Sequence, residues 1–263
     1  MVEANAKFSV KNLFNVEGRV AVITGGGTGI GLMIAQAFAN NGARVYVTSR
    51  RAETLENAAK KWGSCKGDRE AGEAHRRTCE QCGVEKGHEI VQALQKELWN
   101  EEFQMWQDVY KTNVIGYFFT TVAFLPLLSA AARGNHTGSV INISSISGIT
   151  RTTQHHYAYN TSKAATIQLN LLLAQELRRP GVKVRVNSIA PGIFPSEMTT
   201  SGSDDKNKSA IPVDESYGEK KGIPAGRPGR EEDMAQAALL LACNEYMYGQ
   251  VVAVDGGYLL EHP

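Results

Sequence analysis

The sequence predicts an α/β fold, with a parallel sheet and helices packed against it, in one domain spanning residues 1–263. Short runs rich in β-branched residues, such as RVAVIT at 19–24 and RVYVT at 44–48, are each followed by a segment with helical character. This alternation of strand and helix is typical of parallel sheets with crossover helices. A chain of 263 residues with 42% hydrophobic content can bury one full core.

The rest of the chain continues the alternation of strands and helices. Predicted helices cover 30–41, 51–62, 101–132, 157–179 and 231–243, and predicted strands cover 139–144, 182–189 and 250–254. Pro126 is expected to bend or interrupt the long helix at 101–132. The segment 192–230 is rich in Ser, Gly, Pro, Lys and Asp, which predicts a substrate loop or lid; surface disorder is the alternative.

Charge and composition favour small-molecule partners. The 28 basic and 27 acidic residues nearly cancel, so no net field favours nucleic acid or an anionic membrane. The first residues, MVEANAKFSVKNLFNVEG, lack the apolar core of a secretory signal, and no apolar run approaches the length of a membrane span. We therefore expect a cytoplasmic protein without a membrane association.

A glycine-rich turn, TGGGTGIG at 24–31, lies between the first predicted strand and the first predicted helix. Gly25 can adopt backbone angles that side chains forbid, Gly29 allows a pyrophosphate to approach, and Gly31 permits close packing of helix on strand. The phosphates would then lie at the positive end of the helix dipole. We expect this turn, including Thr28 and Ile30, to bind a dinucleotide.

The end of the second predicted strand indicates which dinucleotide is bound. An acidic residue there would bind the ribose diol of NAD, but the strand ends in Ser49, Arg50 and Arg51. Guanidinium groups form charge-assisted, often bidentate bonds to phosphate, so this end favours the 2′-phosphate of NADP, although NAD remains possible. Arg51 could equally be a solvated residue at the start of a helix.

Tyr159 and Lys163 are four residues apart at the start of a predicted helix, so their side chains share a face. Reduction of a carbonyl needs a proton donor, and a nearby ammonium is expected to lower the pKa of a phenol toward neutrality. Ser145 follows a strand that should end beside this helix, and its hydroxyl could hold the substrate oxygen. These three residues are the candidate catalytic groups.

Five motifs in this order resemble the short-chain dehydrogenase/reductase family: TGGGTGIG, TNVIG, NISSISG, YNTSK and the PG at 191–192. The resemblance covers nearly all of the chain except about 63–100. It implies a Rossmann-like, doubly wound parallel sheet in a single domain. It also implies hydride transfer between NADP(H) and a small-molecule carbonyl or secondary alcohol, in a homodimer or homotetramer.

The resemblance also implies roles for individual residues. Tyr159 would be the acid/base, and Lys163 its pKa modulator and a ligand of the nicotinamide ribose. Ser145 would hold the oxyanion; it is preferred over Ser144 because the family's serine stands three residues before a glycine, here Gly148. Asn113 would belong to the proton relay.

The family's nicotinamide-side segment is matched by four further cofactor-binding candidates. They are Pro191, Gly192, Ile193 and Thr199.

The stretch from about 63 to 100 departs from the family pattern. It is polar, is shorter by a few tens of residues, and lacks the fourth, central strand that ends in Asn-Asn-Ala-Gly in the family. The fold is therefore expected to have a disrupted or missing central strand region. Cys79 and Cys82 could form half of a zinc site, but only Cys65, His75 and His88 lie nearby, so no metal is expected.

A shifted reading frame would explain this stretch. Codons can be chosen for HRRTCEQCG at 75–83 so that the next frame reads Ile-Asp-Val-Leu-Val-Asn-Asn-Ala-Gly. We hypothesise a splice or gene-model error that shifted the frame before about Ser64 and restored it near Val84. Loss of a central strand leaves buried backbone groups unpaired, at roughly 1 to 3 kcal/mol each. The alternative to an active oxidoreductase is thus a noncatalytic or poorly folded product of the same family.

Overall fold

The computed structural model describes residues 5–62, 91–134, 136–200 and 202–263. Its strands are β1 (Val20–Thr24), β2 (Arg44–Thr48), β3 (Gly138–Ile143), β4 (Val184–Pro191) and β5 (Val251–Val254). All pairings between them are parallel, as predicted. Each strand lies within two residues of its predicted bounds, because the β-branched runs that define them are bounded by glycine or polar residues.

The helices alternate with these strands. The longer ones are α2 (Gly29–Asn40), α3 (Ala52–Trp62), α4 (Val91–Trp99), α5 (Phe103–Tyr110), α6 (Gly116–Ala130), α7 (Tyr157–Leu177) and α10 (Glu231–Cys243). The short ones are α1 (Val10–Leu13), α8 (Glu197–Thr200), α9 (Tyr217–Lys221) and α11 (Tyr258–Glu261), with 3-10 turns at Ala6–Phe8 and Ile146–Gly148.

The described strands form two parallel groups. β1 pairs with β2 in one group, and the order in the other is β3-β4-β5. Within the described ranges, β1 and β3 each keep one edge that no other strand pairs with. The stretch predicted to depart from the family covers about 63–100. Residues 63–90, on which the frame-shift hypothesis and the candidate zinc ligands fall, lie outside the described residues, and Val91–Trp99 forms the helix α4.

Helices cover both faces of the sheet. On one face, α2 and α10 pack against each other and against the strands through a cluster that includes Phe38, Ile189, Met234 and Leu241. On the other face, α7 packs on β4, with Leu173 and Leu177 among the buried side chains. Burial of these apolar side chains is the main stabilising contribution to the layers.

The structure differs from the expectation in two details. The helix α6 continues through Pro126, so the helix is not interrupted there, and the long helical stretch contains a π-helical turn at Lys111–Ile115. The segment 192–230 is not entirely loop, since it contains the short helices α8 and α9. A π-helical turn cannot be predicted from apolar periodicity because it inserts one residue without changing composition.

One helical stretch passes a length and composition test for a membrane span. Phe103–Ala130 has 28 residues, and its most apolar 18-residue window has a mean hydropathy of 1.5 and is 6% buried. Side chains of this stretch also reach the sheet, since the Tyr117 hydroxyl donates to the carbonyl of Ile143 at the end of β3. One such helix is weak evidence for a membrane, because core helices of soluble proteins and signal sequences pass the same test.

Arg185 in β4 ties the sheet to the end of α10. Its side chain is fully buried and donates four hydrogen bonds, to Thr137 Oγ1, Glu245 Oε2, Leu241 O and Ala242 O. The last two acceptors are carbonyls of the final turn of α10, which have no partner within the helix. A buried guanidinium therefore closes the C-terminal end of this helix.

Replacement of Arg185 by Met should lower the free energy of unfolding by about 3 kcal/mol, because buried acceptors lose a charged donor. Chemical denaturation measures this loss. Arg44→Met is the matched control, since Arg44 is exposed on β2 and its loss should cost less than about 0.5 kcal/mol. Equal losses in the two variants would contradict the role of Arg185.

Candidate active site

The candidate catalytic residues meet between the end of β3 and the first turns of α7. Ser145 and Lys163 are buried, and Ser145 caps the turn Ile146–Gly148 by accepting a hydrogen bond from Ser147 N at 3.1 Å. A Cβ at Gly148 would lie 2.5 Å from the backbone carbon of Lys163. Only glycine permits this approach, so the turn that carries Ser145 lies directly against α7.

The two adjacent serines point to different partners. The Ser144 hydroxyl donates to Ile189 O at 3.0 Å and accepts from Ser188 Oγ at 2.7 Å, so it faces β4. The Ser145 hydroxyl lies near enough to Tyr159 to lower the pKa of its phenol. The structure thus brings Ser145, not Ser144, to the tyrosine.

Lys163 lies one helical turn beyond Tyr159 and is held by the sheet. Its Nζ donates to Ile143 O at 2.9 Å and lies 5.6 Å from the centre of the Tyr159 ring. Burial lowers the pKa of Lys163 from 10.5 to about 8, because a charged amine loses its hydration. The amine is therefore mainly cationic at neutral pH but close to its titration.

Burial raises the pKa of Tyr159, and the nearby Ser145 hydroxyl opposes this by lowering it. The sequence had led us to expect the ammonium to bring this pKa down toward neutrality. Burial instead dominates, since Lys163 directs its Nζ to the Ile143 carbonyl. Tyr159 is consequently a protonated phenol at neutral pH, which is the form that can donate a proton to an alkoxide.

Asn113 lies in the π-helical turn and is tied to α7 by two hydrogen bonds. Its Nδ2 donates to Ser162 Oγ at 3.0 Å, and its carbonyl accepts from Thr166 Oγ1 at 2.7 Å. The structure therefore places Asn113 against the helix that carries Tyr159 and Lys163. Its part in a proton relay stays a prediction.

Tyr117 is a site residue that the sequence reasoning missed. Its hydroxyl donates to Ile143 O at 2.9 Å, the carbonyl that Lys163 also uses, and burial raises its pKa to about 12. The apolar spacing that predicts the helix at 101–132 includes Tyr117, so the sequence indicated only a packing residue. Its position four residues after Asn113, one helical turn away, was the available signal.

The glycine turn after β1 has a backbone that fits a dinucleotide. Gly25 and Gly29 have φ angles of 69° and 51°, and a Cβ at Gly31 would lie 2.3 Å from the Gly25 carbonyl oxygen. These constraints form a close backbone cradle at the N-terminus of α2, where Thr28 is the N-cap and Ile30 is in the first turn. The residues present therefore fit the pyrophosphate of a dinucleotide.

The end of β2 lies beside this turn, since Gly25 N donates to Thr48 O at 2.7 Å. Ser49 and Arg50 follow directly, and Arg50 is exposed. Arg51 forms an ion pair with Glu197 of α8, with Nη1 and Oε1 3.0 Å apart. Contact between this arginine and the 192–230 segment could not be read from the sequence.

Backbone contacts hold the cofactor-binding candidates at the end of β4 in place. Gly192 N donates to Val254 O at 2.9 Å, and a Cβ at Gly192 would lie 2.7 Å from the Cα of Asp255. Pro191 ends β4, and the carbonyl of Ile193 accepts from Gly229 N at 2.9 Å. Strand β5 therefore holds the start of the 192–230 segment.

Thr199 lies further along this segment, in α8. Its hydroxyl donates to Phe194 O at 2.8 Å and accepts from Ser196 N at 2.9 Å, so both hydrogen bonds stabilise the loop that carries Thr199. Its predicted role beside a carboxamide stays a prediction. As for metals, no group of three or more ligand-type side chains occurs in the described ranges.

The class of protein follows from the family comparison. The model of the family described as short chain dehydrogenase matches residues 19–207, which is well over half of the chain. The chain therefore belongs to the short-chain dehydrogenase/reductase family, and the predicted family, α/β fold and oxidoreductase class are confirmed.

Individual relatives agree with this assignment. The rhamnolipids biosynthesis 3-oxoacyl-[acyl-carrier-protein] reductase of Pseudomonas aeruginosa is 36% identical, over 94% of this chain and 98% of the relative. Short-chain dehydrogenase/reductase PhomF of Diaporthe leptostromiformis is 35% identical, over 96% and 95%. The latter alignment extends over 287 positions, more than the 263 residues of this chain, so that relative carries residues without a counterpart here.

A solved structure shares the fold. The structure described as "Pseudomonas aeruginosa RhlG/NADP active-site complex" superimposes with a TM-score of 0.70 at 33% identity, over 94% of this chain and 98% of the other.

The lowered pKa of Lys163 predicts a pH dependence of stability. Between pH about 8 and 10.5 the unfolded chain holds the Lys163 proton while the folded chain has lost it. The free energy of unfolding contributed by this residue should therefore rise with pH across that window. Urea unfolding of the wild type and of Lys163→Met, at both ends of the window, measures this contribution as the difference between the two proteins. A difference that stays constant would contradict the lowered pKa.

Proposed function

We propose that this protein is an NADP(H)-dependent oxidoreductase that transfers hydride between the nicotinamide and a small-molecule carbonyl or secondary alcohol. The observation that carries the proposal is the cluster of buried Ser145, half-buried Tyr159 and buried Lys163 at the carboxyl end of β3. In parallel α/β sheets, ligands bind beyond the carboxyl ends of the strands. The glycine turn after β1 opens at the same end.

NADPH supplies the hydride when it is bound. Ser145 donates a hydrogen bond to the carbonyl oxygen of the substrate, which orients it and stabilises the negative charge that develops there. Tyr159, kept protonated by burial, gives its proton to that oxygen. The Lys163 cation, 5.6 Å from the tyrosine ring centre, stabilises the phenolate that remains. In the reverse direction the phenolate accepts the alcohol proton.

The cofactor is NADP(H). Ser49, Arg50 and Arg51 supply a hydroxyl and two guanidinium groups at the end of β2, where a 2′-phosphate needs donors and positive charge. Gly25, Thr28 and Gly29 at the N-terminus of α2 would hold the pyrophosphate. The solved relative described above is itself a complex with NADP.

The substrate is a ketone or secondary alcohol that the 192–230 segment encloses. The segment is tied to the strand ends through Ile193 and to the cofactor half through Glu197. One relative reduces a 3-oxoacyl group on a carrier protein by its name, so 3-oxoacyl thioesters belong in the substrate panel.

The protein acts in the cytoplasm. Cys243, the cysteine within the described ranges, is a free thiol, as is usual in a reducing compartment. Burial raises the pKa of this thiol, which keeps it protonated and unreactive.

The functional form is a homo-oligomer built on the outer faces of α6 and α7. Large apolar side chains are exposed there: Phe118, Phe119, Val122, Leu127, Leu171 and Leu172. An exposed apolar surface of this kind is typical of a protein interface, and a second copy presents a matching surface under twofold symmetry. Coverage by a second copy also accounts for the apolar character of Phe103–Ala130 without a membrane.

Replacement of Tyr159 by Phe removes the proton donor but leaves the ring. Turnover of NADPH with a panel of ketones should fall by about 100-fold or more, while quenching of NADPH fluorescence still reports binding. Tyr157→Phe is the control, because Tyr157 lies in the same helical turn and keeps substantial solvent exposure. Equal activity in the Tyr159 variant and the wild type would refute the assignment.

Replacement of Phe119 by Glu places a charge in the proposed interface and should convert the oligomer to a monomer. Size-exclusion chromatography with light scattering measures the mass. Val10→Glu serves as the control, since Val10 is an exposed apolar residue of α1, far from α6 in sequence. A monomeric wild type, or an oligomer that survives the Phe119 change, would contradict the interface.

A further inference from the structure

Part of the 192–230 segment lies across the cofactor half of the protein. We define the strap as residues 196–200 and 202–208. It contacts the glycine turn after β1 and also α3, the helix that follows β2. The segment predicted to cover the substrate thus also touches the residues predicted to hold the adenosine end of the cofactor.

Asn207 anchors the strap. It is buried and has a left-handed φ of 59°, and its Nδ2 donates to Gly27 O and Thr54 O, each at 2.9 Å. Its Oδ1 accepts from Asn57 Nδ2 at 2.8 Å. Because both ends of the amide are bonded, the strap is firmly attached to the turn and to α3.

The other end of the strap lies directly over the glycine turn. The Cβ of Ser196 is 3.1 Å from the position that a Cβ would occupy at Gly29. Ser196 immediately precedes α8, whose first residue is Glu197. The carboxylate of Glu197 therefore lies at the edge of the glycine turn that is predicted to hold the pyrophosphate.

Glu197 forms a bidentate ion pair with the guanidinium of Arg51. Nη1 lies 3.0 Å from Oε1, and Nη2 is bonded to Oε2. The Glu197 side chain also accepts from Ser203 Oγ at 3.0 Å, within the strap itself. On the same side, Lys61 Nζ of α3 is 2.7 Å from Asp205 Oδ2.

A carboxylate and a phosphate bind a guanidinium in the same way. Each offers two oxygens to one edge of the planar guanidinium. Glu197 occupies the Nη1/Nη2 edge of Arg51, so a phosphate that uses this edge must displace it. Arg51 follows Arg50 at the strand end where the 2′-phosphate of NADP(H) is placed above. Glu197 and the 2′-phosphate would therefore claim the same donors.

We propose that Glu197 is a specificity-determining residue that competes with the 2′-phosphate of NADP(H) for Arg51. When NADPH binds, Arg51 passes to the phosphate, and Glu197 keeps the Ser203 hydroxyl as a partner. NADH has no such phosphate, so the Arg51–Glu197 pair persists in its complex. The strap stays attached at Asn207 in both cases, and only its α8 end responds to the cofactor. This inference rests on the proposed cofactor.

Glu197→Gln removes the competing charge and leaves the size of the side chain. The dissociation constant of NADPH should fall by about fivefold, the usual scale for a partly exposed ion pair, while that of NADH stays the same. Fluorescence titration of the full-length protein measures both constants. Glu215→Gln is the matched control, because Glu215 is an exposed glutamate of the same segment, and both constants should be unchanged.

A double-mutant cycle assigns the effect to Arg51. In the Arg51→Gln background, Glu197→Gln should leave the dissociation constant of NADPH unaltered, because the guanidinium for which residue 197 and the 2′-phosphate compete is gone. The inference would be overturned if Glu197→Gln alone left NADPH binding unchanged or weakened it. It would also be overturned if Glu197→Gln tightened NADPH binding equally with and without Arg51. A wild type without preference for NADPH would instead overturn the proposed cofactor, so the two failures are distinguishable.

Discussion

The candidate site depends on one close contact, between the turn Ile146–Gly148 and the backbone of α7 at Lys163. A Cβ at Gly148 would lie 2.5 Å from a backbone atom of Lys163, so the helix can approach the end of β3 only because this residue is glycine. That approach brings the Ser145 hydroxyl to Tyr159 and lets Lys163 reach the Ile143 carbonyl. A serine, a tyrosine and a lysine from two elements thereby share one buried space.

Burial shifts the pKa values of the two titrating groups in opposite directions. It lowers the pKa of Lys163 to about 8 and raises the pKa of Tyr159, because desolvation disfavours the cation of one and the anion of the other. The Ser145 hydroxyl and the Ile143 carbonyl are the polar partners that make this burial tolerable. The protein thus holds a neutral acid beside a cation, the arrangement that proton transfer to a developing alkoxide requires.

The 192–230 segment joins the two halves of the site. It begins at the carboxyl end of β4, where Gly192 is bonded to β5, and it reaches the glycine turn through Asn207. A single segment therefore contacts both the region of the reacting carbonyl and the region of the adenosine phosphate. Hydrogen bonds and ion pairs hold its polar residues to the cofactor half, and Tyr217 and Ile223 of the same segment pack in an apolar cluster with Ile146.

Local patterns in the sequence were sufficient for the parallel α/β fold, the glycine turn and the Tyr159 and Lys163 pair. These depend on short-range properties, namely β-branched runs, glycine backbone freedom and helical spacing. The tertiary structure alone revealed the shared carbonyl of Tyr117 and Lys163, the direction of the Tyr159 pKa, and the pairing of Arg51 with Glu197 across 146 residues. Burial and long-range ion pairs are set by which segments pack together, and no local pattern encodes that choice.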